Sequence, residues 1–336
     1  MVFQAVVDRV EKGLRPLNPA RDLPQLADLI EDAFGAELSG EGERVLREIR
    51  FLGMLGPLNL FITGAQTEET DIFTGLVWVQ DGKIVGNVTV NRPTGHPRRW
   101  QISNVAVHSS YRRQGIARKL VEAAIEMVLY RGGSVAYLYV RDDNMPARHL
   151  YQSLGFVEVD RTTDLALTRL VPRRDAAPVC LRPLTLQESD RLYRLVLDAD
   201  GRGRQWLYPP HRGQYVFSKG ELFFRRLESW LAGKVETRWG AFSGAELDAG
   251  VILNTTFGLN TRAHRLKLWT RADCPDRVRD AVAQDILSIL AARGLAVGAR
   301  RPVHVSLPLR EFRVIEALLQ RGFDKRRTLI LTRLNL

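Results

Sequence analysis

Apolar residues recur along this chain at two spacings. From Ile116 to Tyr130, Leu120, Ala123, Ala124, Met127 and Val128 fall three or four apart, which marks one face of a helix, and Gly132-Gly133 ends the run. Elsewhere the runs are short and rich in β-branched residues. Gly75–Val79 and Ile84–Val90 flank Asp81-Gly82 and predict a hairpin. Upstream, a short strand precedes helices over Asp22–Phe34 and Gly42–Leu52. Downstream, a strand over Gln101–Val107 runs into the Ile116 helix. It is followed by a strand at Val135–Val140, a helix over Pro146–Leu154, and strands near Phe156–Val159 and Leu165–Leu170. Strand, helix and strand around Gly115 imply a locally parallel pair.

The pattern then repeats. Leu14–Leu17 and Leu181–Leu184 both read LRPL, 167 positions apart, and Leu154-Gly155-Phe156 meets Arg321-Gly322-Phe323 at the same offset. Leu167–Leu170 and Leu331–Leu334 both read LTRL at an offset of 164, so one loop is three residues shorter in the second copy. The second half also predicts helices over Gln187–Leu197 and Lys219–Leu231, and strands over Thr237–Phe242, Gly250–Asn254 and Arg265–Thr270. The chain reads as two copies of one α/β (α+β) fold, residues 1–171 and 180–336, joined by residues 172–179 within VPRRDAAPV.

Composition agrees with two domains. A length of 336 residues is long for one, and 45% apolar residues supply a core for each half. Two cysteines, Cys180 and Cys274, match no metal spacing and point to a reduced, cytosolic protein without structural disulfides. The beginning, MVFQAVVDRVEKG, has no signal-peptide pattern. The apolar stretch Phe51–Thr63 is too short and too interrupted to cross a bilayer, so no membrane partner is expected. Charge changes the picture more. Residues 1–171 hold 20 Lys and Arg against 21 Asp and Glu, whereas residues 172–336 hold 29 against 17. The second half therefore carries +12 and suits an acidic acceptor or partner. No nucleic-acid module accompanies that charge, and a solvated Arg-rich surface is the plainer explanation of it.

The chemistry concentrates in VAVHSSYRRQGIARKLVEAAI, from Val105. A strand ends in a turn that opens directly into a helix. The first N–H groups of a helix lack intrahelical partners, and its dipole favours an anion there. Gly115 lets the backbone approach a phosphate, Ala117 preserves the access, and Arg112, Arg113 and Arg118 add positive charge. Neither a P-loop nor a dinucleotide fingerprint is present.

This turn, Arg112-Arg113-Gln114-Gly115-Ile116-Ala117, resembles the Gln/Arg-x-x-Gly-x-Gly/Ala signature of the GNAT superfamily of acetyl-CoA-dependent N-acetyltransferases. A second block, Asn144-x-x-Ala147-x-x-Leu150-Tyr151-x-x-x-Gly155-Phe156, resembles the family's next strand and helix. The resemblance covers about residues 13–171. It implies two tandem GNAT-like domains, each a mixed, mostly antiparallel central sheet flanked by helices. The tandem architecture resembles that of mycothiol synthase-like enzymes. It further implies that acetyl-CoA is the co-substrate and that no metal takes part. The pyrophosphate would lie on Arg112 to Arg118, the pantetheine arm on the backbone of Val105 and Val107, and Asn144 beside the pantetheine. Asn144 also suits a helix N-cap. A backbone N–H of the Val105 strand would polarise the thioester carbonyl.

Tyr151 occupies the position of the family's general acid, the alternative being packing beside Leu150 and Phe156. No base is assigned. Ser103 or Asn104 can position a water, His108 reads as structural, and Asp142 and Asp143 as a solvated loop pair. In the second copy, Tyr151 corresponds to Leu318 and Asn144 to Glu311, and the turn Arg271–Asp276 has no glycine and two acids. That copy is expected to keep the fold and to lack an acetyl-CoA site. The leading expectation is an enzyme that acetylates a primary amine on a small molecule. The alternatives are acetylation of a protein N-terminus or lysine, and a non-catalytic acyl-CoA-binding protein. Phe51–Ile62 and Trp78–Lys83 are the expected acceptor segments.

Overall fold

A computed structural model describes residues 12–35, 40–54, 74–93, 95–169, 180–200, 202–207, 209–256, 263–292 and 301–336. The expected linker 172–179 and most of the expected acceptor segment Phe51–Ile62 lie outside the described residues.

Two compact units divide the chain. The first comprises Met1–Val140, Asn144–Glu158 and Leu331–Leu336, and the second Arg141–Asp143 and Val159–Ile330. The first unit begins with β1 (Lys12–Pro16), α1 (Pro19–Phe34) and α2 (Gly40–Met54). Helix α1 starts three residues before the expected Asp22. Pro19 has the φ a first helical turn needs, and the Asn18 side chain caps the end by accepting from Ala20 N–H at 3.0 Å. Asp22, 2% exposed, accepts from Arg15 at 2.5 and 2.9 Å and from Asn18 N–H at 2.7 Å. The arginine of the first LRPL thus joins β1 to α1. Helix α2 approaches α1 closely, because a Cβ on Gly53 would lie 2.8 Å from Pro24 Cδ.

Strands β2 (Gly75–Gln80) and β3 (Lys83–Asn91) form the expected hairpin, with Asp81 and Gly82 at φ of 51° and 72°. Strand β4 (Arg99–Val107) is antiparallel to β3, and β5 (Val135–Arg141) is parallel to β4. Helix α3 (Ile116–Tyr130) connects them and lies against β3 at Gly86, where a Cβ would meet Leu120 and Ile116 at 2.9 and 3.0 Å. On the α1 side, Leu29 packs with Val77, Val79, Ile84 and Ala106. Helix α4 (Met145–Ser153) follows β5.

After α4 the expectation of two short strands fails. One continuous strand, β6 (Val157–Leu167), replaces them, and from Val159 it belongs to the second unit. That unit continues with β7 (Arg182–Pro183), α5 (Ser189–Ala199), α6 (Arg202–Leu207), α7 (Lys219–Leu231), β8 (Lys234–Ser243), β9 (Glu246–Thr256), β10 (His264–Thr270), α8 (Asp276–Ala292), β11 (Val303–Pro308) and α9 (Phe312–Leu319). Its strands run β6, β11, β10, β9, β8, β7, and the β10–β11 pair is parallel as β4–β5 is. In the second LRPL, Arg182 pairs with Glu188 at 2.6 Å, the same strand-to-helix tie. The last strand, β12 (Asp324–Asn335), begins in the second unit, and its end belongs to the first. There Leu336 N–H reaches Ser134 O at 2.9 Å. The repeat boundary near residue 171 and the compact units are therefore different partitions. Most of the first copy's last strand belongs to the second unit, and the end of the second copy's last strand belongs to the first, which register matches in sequence cannot reveal.

Candidate active site

Strands β4 and β5 pair only from Arg99↔Val135 to Gln101↔Tyr137, and beyond that they part. Val105 and Val107, both half-buried, stand on β4 past this point. Between them and the pairing, Asn104 has a φ of 50°, and the β3–β4 register shifts between Asn87 and Thr89.

At the end of β4 the chain is held at three points. His108 N–H donates to Val85 O at 2.9 Å. The His108 ring accepts from Ser110 N–H at 3.2 Å. Asp32, in the last turn of α1, accepts from Ser109 N–H at 2.8 Å and Ser109 Oγ at 3.0 Å. These bonds, the backbone one foremost, hold its carboxyl below the usual carboxylate range, with nearby His108 and Arg112 adding to the effect. Nothing in the sequence singled out Asp32, because its partner lies 77 residues away.

The turn itself is exposed from Arg112 to Gly115. Arg112 Nε donates to Val107 O at 3.2 Å. Arg113 and Gly115 take φ of 61° and 76°, and α3 starts at Ile116 with no side-chain cap at Gly115. A Cβ on Gly115 would meet nothing within 4 Å, so the space before the helix is open. Uncapped N–H groups, open space and flanking guanidiniums fit the pyrophosphate of acetyl-CoA. Ala117 is half-buried, and buried Ile116 anchors the first turn. Arg118 is turned along the helix, donating to Ser153 Oγ at 2.5 Å and Glu122 at 3.4 Å, and Gln114 stands exposed in the turn.

Asn144 caps α4, accepting from Ala147 N–H at 3.2 Å. Tyr151, on α4, is 7% exposed, and its ring meets that of Phe156 edge to face with the ring centres 5.9 Å apart. Burial pushes its phenol up to about 12. Asp143 is bound to Arg141 at 2.6 and 2.9 Å.

The corresponding positions of the second unit are filled. Thr270 Oγ1, at the end of β10, donates to Glu311 at 2.6 Å, and Leu318 lies fully buried. Arg271 pairs with Asp248 at 3.0 Å, with Asp273 at 2.6 Å and with Glu246. Arg279 binds Asp276, at the start of α8, at 3.0 Å and donates to Arg271 O and Ala272 O at 3.3 and 3.1 Å. Among the described residues, no group of three or more His, Cys, Asp or Glu is placed to hold a metal.

The parallel pair of β4 and β5 thus ends after three residues, and α3 beyond it starts behind Gly115 with no side-chain cap. Residues 29–156 match the family model "Acetyltransferase (GNAT) family", and the chain carries a GNAT acetyltransferase domain there, within a tandem GNAT fold. Human N-acetyltransferase 8 is 32% identical over 99 residues, which are 28% of this chain and 44% of that protein, so the chain spans under half of that relative. A GCN5-related N-acetyltransferase from Sphaerobacter thermophilus shares the fold over 96% of this chain and 95% of its own, with a TM-score of 0.59 and 15% identity. A tandem GNAT protein from the clavulanic acid biosynthesis pathway does so over 96% and 98%, with a TM-score of 0.51 and 17% identity. No helix among the described residues is long and apolar enough to cross a membrane.

Proposed function

We propose that the chain is an N-acetyltransferase with one acetyl-CoA site, in the first copy, and a primary amine on a small molecule as acceptor. One observation carries the reading. The N-terminus of α3 is uncapped behind Gly115 and beside the opening of β4 and β5, while in the second copy Glu311, Arg271 and Arg279 fill the equivalent ground.

Acetyl-CoA, when bound, supplies an acetyl group activated as a thioester. The residues from Arg112 to Ala117 bind its pyrophosphate through backbone donors and flanking charge. Val105 and Val107 offer backbone on the open edge of β4. Tyr151, whose phenol is neutral across physiological pH and is raised further by burial, holds the proton that the departing sulfur needs. A thiol enclosed in the same apolar surroundings is also driven towards its neutral form, so the phenol and the thiol move together. Positive charge in the second copy favours an acidic acceptor. Free thiol released from acetyl-CoA over a panel of neutral and acidic amines tests the reading. Release that no amine accelerates contradicts it.

A further inference from the structure

Among the described residues, three that are not glycine have positive φ. Asp81 lies in a hairpin turn and Arg113 in the phosphate turn, both places where the chain must reverse. Asn104 stands in the middle of a strand. A left-handed residue there is unfavourable and must be held by its neighbours.

Two hydrogen bonds from side chains hold it. Asn87 Nδ2 donates to Asn104 O at 3.0 Å, and Asn104 Nδ2 donates to Thr89 Oγ1 at 3.2 Å. Asn87 is 1% exposed, and its Oδ1 is buried without a hydrogen bond among the described residues. Packing does not explain an asparagine here. A leucine of similar size would fill the site and leave no orphaned acceptor.

The peptide geometry explains it. In a trans peptide the carbonyl and the following N–H point in opposite directions, and the described residues contain no cis bond. With Asn104 O bound on the β3 side, Val105 N–H is turned to the other edge of β4, where the pairing with β5 has already ended. We propose that Asn87 is a positioning residue whose side-chain amide aims Val105 N–H at the acetyl carbonyl. The proposal rests on the acetyl-transfer reading above. A donor fixed in advance strengthens as negative charge gathers on that oxygen, and removing one such donor typically costs about 10²–10³-fold in turnover. Asn87 acts on the donor's direction, so a smaller effect is expected.

The test uses the full chain with Asn87→Leu and, separately, Asn104→Ala. The alanine penalises the left-handed conformation from an exposed position, so the test survives if Asn87→Leu fails to fold. Calorimetry should give acetyl-CoA affinity within about threefold of the native chain, because the pyrophosphate turn is untouched. With carbonyl-labelled acetyl-CoA bound, the infrared carbonyl stretch should rise in both variants as the hydrogen bond weakens. With an accepted amine, kcat should fall at least about tenfold, with the KM for acetyl-CoA little changed. A carbonyl frequency identical to that of the native complex overturns the proposal, even if no amine is turned over. Failure of the native chain to bind acetyl-CoA overturns the acetyl-transfer reading itself and the proposal with it.

Discussion

Tyr151 packs against the ring of Phe156, and burial alone raises its phenol. Tyr151→Phe removes one oxygen and should leave acetyl-CoA affinity almost unchanged while lowering kcat by about 10²–10⁴-fold. Unchanged turnover with a verified acceptor would reject Tyr151 as the acid. Burial also sets a pH expectation. A phenol raised to about 12 stays protonated well past pH 10, where an ordinary tyrosine is half ionised. Loss of the acid should therefore not limit kcat below about pH 11. A basic limb in kcat near pH 10 that disappears in Tyr151→Phe would contradict this. Asp32 acts at the same scale on Ser109, just ahead of the Arg112–Gly115 turn. Its carboxyl is depressed in the folded chain, so its hold on Ser109 is complete above the usual carboxylate range and is lost only as pH falls through its lowered value. Asp32→Ala should weaken acetyl-CoA binding severalfold at neutral pH, as read by calorimetry, and an unchanged affinity would show that the turn needs no such support.

Among the elements, β12 links the chain's end to the first unit. Its last residues lie there, Thr332 Oγ1 donates to Leu138 O at 3.5 Å, and a Cβ on Gly155 would sit 3.3 Å from Leu334. Removing residues 331–336 leaves β5 without that neighbour and Gly155-Phe156 without Leu334. Such a chain should melt at lower temperature and bind acetyl-CoA more weakly, and native binding would show that β12 is dispensable. A fragment ending near residue 171 lacks the same strand. This is also where reading the sequence reached its limit. Helical spacing located α3 at Ile116–Tyr130, because one apolar face repeats there, and Asp81-Gly82 located the first hairpin, because that dipeptide tolerates positive φ. The LRPL repeat was visible, and its reason, an arginine tied to an acid at the next helix, appeared only in three dimensions. The exchanged strands, Asp32 and the Asn87–Asn104 pair were hidden because each depends on a partner distant in sequence. The positive φ of Asn104 carries no signal beyond an asparagine in a strand.

At the scale of the whole molecule, one copy keeps the glycine-led turn before its helix and the other keeps the framework without it. The second half's charge of +12 then bears on the acceptor. If it draws an acidic acceptor, the KM for that acceptor should rise with ionic strength as exposed charges are screened, while acetyl-CoA affinity changes less. A KM that ignores salt would remove the charge from the account. One donor site per chain should show in titration calorimetry of acetyl-CoA into the full protein. The expected stoichiometry is one, abolished by Gly115→Glu, which brings a carboxylate into the space before α3. Two similar sites per chain, no binding, or full binding by the Gly115→Glu variant would contradict it.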